Sequence, residues 1–276
     1  MENTKSVEIL LVGHLTLDED AYGLHLGGSV FFASQLLRIL KYRANIVTSY
    51  DRNTFTPILD GNFNINVVKS SSTTTFANYY KSGEREQRVR YIASRIAETD
   101  IPENYLNSDL VFLAPVIGEI GLDVVSLFKT KFVVANLQGW LREFNKSGLV
   151  NRKIIDLDEI LEHVDVAIIS QEDIKDWAVL EDWANKVNIL VVTNGSGGCN
   201  VSVDNKWHHI PGIKVVEIDP VGAGDIFATA YMVKYFQTSD FLQAAIFANC
   251  IAGISVEGQR IAKLTDSLLI DACSRN

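Results

Sequence analysis

The sequence predicts an α/β protein with a mainly parallel sheet covered by helices. Short β-branched runs alternate with helix-length apolar runs along the whole chain, the pattern of strands joined by crossover helices. At 276 residues, 47% of them hydrophobic, the chain can bury one large core. No internal repeat or low-complexity linker divides it, so the expectation is one domain over residues 1–276.

Taken in order, the strand candidates are 8–12, 44–48, 110–113, 132–135, 166–169, 189–193 and 213–218. Helix-length runs without Gly or Pro cover 30–40 and 226–236, and a small-residue apolar run covers 244–256 around Asn249. Between the early strands, residues 66–93 read as an insertion. Within it, 73–80 and 88–93 are rich in Thr, Tyr, Phe, Val and Ile and flank the polar turn Lys81-Ser82-Gly83-Glu84, which predicts a β-hairpin. An isolated hairpin does not hold in water, so it must rest on the main body or on another chain.

Composition narrows the function classes. Thirty-four acidic against 25 basic residues give a formal charge of −9, unfavourable for binding a phosphate backbone, so no nucleic-acid partner is expected. Cys199, Cys250 and Cys273 are odd in number and far apart, which suits reduced thiols. The five histidines, including His208-His209, show no metal-ligand spacing. No apolar run spans a bilayer, and residues 1–6 are polar and too short for a secretion signal; a cytoplasmic enzyme without membrane contact is expected.

Chemistry concentrates in Asp219-Pro220-Val221-Gly222-Ala223-Gly224-Asp225, between a β-branched run and a helix-length run. Backbone N–H groups at a helix start lack internal partners, and glycines let an anion come close. Asp225 beside such a donor cluster could take a proton from a hydroxyl. A tight turn whose aspartate caps the helix explains the same residues. Val191-Val192-Thr193-Asn194-Gly195-Ser196-Gly197-Gly198 is a second Gly-rich strand end, readable as a phosphate loop or as a hairpin turn into 199–203. Ser170, before Gln171-Glu172-Asp173, fits a ligand-binding strand end and equally a helix N-cap.

The 219–225 segment, together with Gly27-Gly28-Ser29 near the other end, resembles the signatures of the ribokinase-like (PfkB) family of carbohydrate kinases, DTxGAGD and an N-terminal GG. Pro220 stands where that family usually has Thr. The resemblance runs in order along nearly the whole chain. It implies a three-layer α/β/α sandwich with a small β lid over the acceptor. Only about a dozen residues separate the first strand from Gly27, so a reduced lid is expected, one that can also clasp a homodimer.

By the same resemblance Asp225 is the base, with Gly222, Ala223 and Gly224 forming the anion hole. Asp18, Gly27 and Gly28 lie at the acceptor. Ser170 and Asp173 stand at an NxxE position near magnesium and triphosphate, replacing Asn and Glu. Thr193, Gly195, Gly197 and Gly198 line ATP phosphates, Asn249 lies near adenine, and Gly258 forms the outer wall. The implied cofactors are ATP and Mg2+, with K+ near Asp219 as a further family feature. Phe32 replaces an Asn common in sugar kinases, and Asn136-Leu137-Gln138-Gly139-Trp140-Leu141-Arg142 is similar to a DxQGxxR segment, with Asn136 for Asp. Both features resemble the inositol-kinase-like branch and put Gln138 and Arg142 at the polyol or the transferred phosphate. The expected activity is therefore ATP-dependent phosphorylation of a hydroxyl on a small sugar or polyol, a cyclitol such as myo-inositol first. The alternatives are a nucleoside kinase, with Phe31, Phe32 or Phe76 stacking on a base, and a kinase-like binding protein without turnover.

Overall fold

The β-branched runs lie side by side in a nine-stranded sheet, because strands covered on both faces must be apolar on both faces. The computed structural model describes residues 7–53, 59, 62–81, 84–153, 155–174 and 176–258. Residues 1–6, the turn residues Ser82 and Gly83, and Cys273 lie outside the described residues.

The elements in chain order are β1 (Ile9–Val12), β2 (Thr16–Asp20), β3 (Gly23–Gly27), α1 (Ser29–Ile39), β4 (Ala44–Tyr50), β5 (Phe63–Lys69), β6 (Thr75–Lys81) and β7 (Glu84–Tyr91). There follow β8 (Leu110–Leu113), α2 (Leu122–Val125), β9 (Phe132–Asn136), β10 (Arg142–Phe144), β11 (Val150–Arg152), α3 (Asp158–Leu161), β12 (Val166–Ser170) and α4 (Trp177–Ala184). The chain continues through β13 (Ile189–Thr193), β14 (Cys199–Val203), β15 (Lys206–Ile210), α5 (Ala223–Thr238) and α6 (Phe241–Ser255).

The large sheet runs β15-β14-β13-β12-β9-β8-β1-β4-β5. Its pairings are parallel from β5 to β13, and antiparallel where β13, β14 and β15 follow one another. Side chains alternate across it. Ile9 and Leu11 of β1 face a core shared with α1, α5 and α6, whereas Leu10 and Val12 face one shared with α2, α3 and α4. Two apolar layers on one sheet make the expected three-layer sandwich. Among the described residues no helix is long and apolar enough to cross a membrane.

A second sheet of four strands, β3-β2-β6-β7, forms the lid. Two expectations are corrected here. Residues 66–69 belong to β5 of the large sheet, so the excursion starts after Lys69. Two lid strands, β2 and β3, also fit between the first strand and α1, where little room for lid strands was expected. β2 begins four positions after β1 ends, and its hairpin with β3 closes tightly, the Tyr22 N–H donating to Asp20 Oδ1 at 2.8 Å. β2 then pairs in parallel with β6.

A third expectation also fails. Residues 213–218 are not a strand. Past Pro211, which has no N–H for a ladder, the chain leaves the sheet edge and runs extended over α6. Ile213 and Val215 lie against Gly253, and the N–H groups of Ile218 and Asp219 donate to the Val256 carbonyl at 2.7 and 3.1 Å. Alternate apolar residues are half-buried on a helix here rather than on a sheet, and Val216 and Ile218 face solvent.

Candidate active site

At the carboxyl edge of the large sheet, the edge at which open parallel sheets hold ligands, β9 meets the start of α5 through Asn136, and β12 and β13 end side by side at Ser170 and Thr193. At the start of α5, Gly222 is the N-cap residue in left-handed conformation, φ 82°. The ring of buried Phe32, from α1, lies where a Cβ on Gly222 would stand. Only glycine meets both conditions. The Ala223 N–H turns back to the Pro220 carbonyl at 3.1 Å, and helical bonding starts with Ile226 N–H to Gly222 O at 2.9 Å. The expected three-residue anion hole is thereby corrected: Ala223 has spent its donor. The N–H groups of Gly224 and Asp225 lie in the first turn, which helix geometry leaves open, and a Cβ on Gly224 would meet no heavy atom within 4 Å.

Four elements converge on the Asp225 carboxylate. The Asn136 side-chain amide, at the end of β9, donates to Asp225 Oδ1 at 3.1 Å. Ser29, in the first turn of α1, adds a side-chain hydrogen bond, the Arg142 guanidinium attracts the carboxylate, and Asp18 of β2 repels it. Burial is the largest influence; with Asp18 it lifts the pKa of Asp225 from 3.8 to about 6 against the pull of Ser29, Arg142 and Asn136. Asp18 itself is no exposed acidic loop but a lid-strand residue whose carboxylate packs over Gly27, where a Cβ would collide with it. Gly28, at φ 90°, lies against the His14 carbonyl and opens α1. Arg142 also donates to the Val116 carbonyl at 3.1 Å, and its guanidinium sits 5.8 Å over the Phe76 ring of the lid.

Gln138 does not join this group. It donates instead to Asp173 Oδ2 at 3.2 Å, while Arg152 Nε meets Asp173 Oδ1 at 3.1 Å. Asp173 is thus pinned from two sides, its side chain 7% exposed. The turn that carries it is tied to the next strand, Gln171 N–H donating to the Thr193 carbonyl at 2.8 Å. Ser170 ends β12 and accepts from the Glu172 N–H at 3.2 Å. It is no helix cap: α4 starts later, capped by Asp176, which accepts from the Ala178 N–H.

On the far side, Gly195–Gly197 form one tight turn, and Gly198, at φ 89°, packs against the Ile210 carbonyl as the chain enters β14. Asn249 is a buried amide bonded to backbone, its Nδ2 donating to the carbonyls of Ile210 and Pro211 at 3.1 and 3.2 Å. It nonetheless lines a cavity of about 360 Å³ with Pro211, Gly212, Leu242 and Ile246. Gly212 lies against the Ser196 carbonyl, so the cavity borders the Gly195–Gly197 turn. Gly258 is buried just past α6 and is not among the residues lining the cavity. Cys199 is a buried free thiol whose pKa burial pushes up to about 12, and Cys250 is buried as well.

Sequence reasoning did not assign site roles to Ser29, Asn136 or Arg152. The first two lie inside segments already singled out, Gly27-Gly28-Ser29 and 136–142. Arg152 carries no local signal, since its partner Asp173 is 21 positions away.

Residues 134–264 match the family model described as pfkB family carbohydrate kinase. The chain is 28% identical over 166 residues to a cytidine kinase of Thermococcus kodakarensis, covering 57% of this chain and 59% of the relative. It is 25% identical over 254 residues to an inositol 3-kinase of Arabidopsis thaliana, covering 84% and 67%. The chain thus spans less than two thirds of the cytidine kinase. Its fold matches that of a pyrophosphate-dependent kinase in the ribokinase family, solved with a pyrophosphate analog and myo-inositol, at a TM-score of 0.79, 20% identity and coverage of 95% and 99%.

Proposed function

Given a PfkB family carbohydrate kinase domain over residues 134–264 in a ribokinase-like fold, we propose that the protein transfers a phosphoryl group from ATP to a hydroxyl of a small sugar or polyol, with cyclitols such as myo-inositol first among the acceptors. The observation that carries this reading is the placement of Asp225: a partly buried carboxylate in the first turn of α5, beside the open face at Gly224, approached by Asn136, Ser29, Arg142 and Asp18.

Asp18, on the lid, accepts hydrogen bonds from acceptor hydroxyls and holds the reacting one against Asp225. Asp225 accepts its proton as the oxygen attacks phosphorus. A pKa of about 6 leaves the carboxylate mostly ionised at neutral pH yet basic enough for the transfer. The N–H groups of Gly224 and Asp225, with the Arg142 guanidinium, take up charge on the moving phosphoryl group. On the donor side, the cavity at Asn249 takes the base, and Thr193, Gly195, Gly197 and Gly198 border the phosphates beside Ser170 and Asp173. Ser170 and Asp173 would stand beside magnesium, which would offset the charge of the donor phosphates. Closing the lid excludes water from the phosphoryl group.

A cavity large enough for a nucleobase supports ATP over pyrophosphate as the donor. The similarity to a cytidine kinase favours one competing acceptor, a nucleoside. Against it, Phe32 is packed on Gly222, and Phe76 is buried under Arg142, so neither is placed to stack on a base. Cytoplasmic location and a homodimer through the lid belong to the same reading, the latter supported by exposed Tyr22, Leu24, Tyr79 and Tyr91 and tested by sedimentation velocity. The functional test is product formation, read by mass spectrometry, over cyclitols, hexoses, pentoses and nucleosides. ATP and pyrophosphate serve as donors, with magnesium, and with or without K+ to probe Asp219. Phosphorylated cyclitol or sugar is expected. Product from nucleosides alone would move the assignment to a nucleoside kinase, and bound ATP without any product would make this a binding protein.

A further inference from the structure

We propose that Asn136 is the positioning residue of Asp225: its side-chain amide fixes the carboxylate and, being a neutral donor, leaves it an acceptor for the substrate proton. This rests on the kinase reading above, in which Asp225 is the base.

Asn136 is the last residue of β9 and pairs in register with Ile168 of β12, so its backbone is fixed by the large sheet. It is 8% exposed, and its Nδ2 lies 3.1 Å from Asp225 Oδ1. Turning the amide over would set its carbonyl oxygen against a carboxylate oxygen, so the donor orientation is the one the pair holds. The carboxylate in the first turn of α5 is thereby tied to a strand of the large sheet.

Chemical identity matters as much as position. The groups that face Asp225 are Ser29 from α1, Arg142 from β10, Asp18 from β2 and Asn136 from β9. Two of these five side chains are already carboxylates, counting Asp225 itself, and one is a guanidinium. An isosteric acid at 136 would place a third carboxylate at hydrogen-bond distance from the second, and like charges that close cannot both ionise, so one of them keeps a proton. Where the resembled DxQGxxR segment carries Asp, this chain has an amide, which adds no charge beside Asp225.

The test uses Asn136→Asp and Asn136→Ala in the full chain, with folding checked by thermal unfolding. For Asn136→Asp the acid limb of the kcat profile should move up by about one pH unit or more. For Asn136→Ala, kcat should fall by roughly tenfold or more while the KM for ATP stays within about twofold. A second readout needs no turnover: the 13C carboxyl resonance of Asp225, assigned by its loss in Asp225→Asn, should titrate at higher pH in Asn136→Asp. If Asn136→Asp does not fold, the Asn136→Ala kcat and KM values decide alone. An unmoved Asp225 titration, or an Asn136→Ala enzyme with unchanged kcat, would overturn the proposal while leaving the kinase intact. A wild-type chain that phosphorylates nothing, with the Asp225 titration still moved by Asn136→Asp, would instead overturn the kinase reading alone.

Discussion

Burying Asp225 should cost the folded protein stability, and replacing it by Asn should recover that loss in a pH-dependent way. The carboxyl pKa rises from 3.8 to about 6 in the fold, mainly through burial. A raised carboxyl pKa means that the folded state holds its proton more tightly than the unfolded chain does, so stability falls as pH rises from about 4 to about 6 and then levels off. Two pH units correspond to roughly 3 kcal/mol, and because Asp225 is only partly buried by area the expected figure is about 1–2 kcal/mol. Asn keeps an oxygen to accept from Asn136 and carries no charge to desolvate. The assay is urea unfolding of both proteins without ligand from about pH 4 to pH 8, where contributions of all other groups cancel in the difference. Asp225→Asn should be the more stable by about 1–2 kcal/mol at pH 8, with the gap closing toward pH 4. A gap independent of pH, or a variant less stable at pH 8, would mean that burial does not raise the Asp225 pKa.

Two further substitutions test the frame around the site. Gly222→Ala must adopt a left-handed conformation and push against the Phe32 ring, costing about 2–4 kcal/mol by thermal unfolding. Adding Phe32→Leu should return part of that loss, a coupling that a double-mutant cycle reads directly. Asn249→Ala strips the donor from two carbonyls at the rim of the cavity, so stability should drop by about 1–3 kcal/mol. Calorimetry should also show weaker ATP binding in that variant; unaltered affinity would remove the base from this cavity.

The large sheet was legible because parallel strands buried on both faces leave an unmistakable trace: each of the four residues of β1 is fully buried and apolar. The glycine positions were legible for a different reason. Gly28 and Gly222 take backbone conformations that side chains resist, and Gly27 and Gly222 accept a neighbour where a Cβ would stand. The lid entry was hidden by composition, since Thr-Leu-Asp-Glu-Asp does not read as a strand, yet β2 is held by pairing on both sides. The period-2 pattern of 213–218 reports one buried side, and a helix can cover that side as well as a sheet can. β5 was missed because its alternation places Asn at two positions, both near the sheet edge. Gln138 with Asp173, and Asn136 with Asp225, are contacts across 35 and 89 positions that only the tertiary fold defines.

In the proposed reaction Asp225 takes the proton from the acceptor. Its most direct test is ATP turnover by wild type and Asp225→Asn at saturating acceptor, with ATP affinity measured on both by calorimetry. Affinities should agree within about twofold, and kcat should be lower by a factor on the order of a hundred or more in the variant. Equal turnover at equal ATP affinity would contradict it.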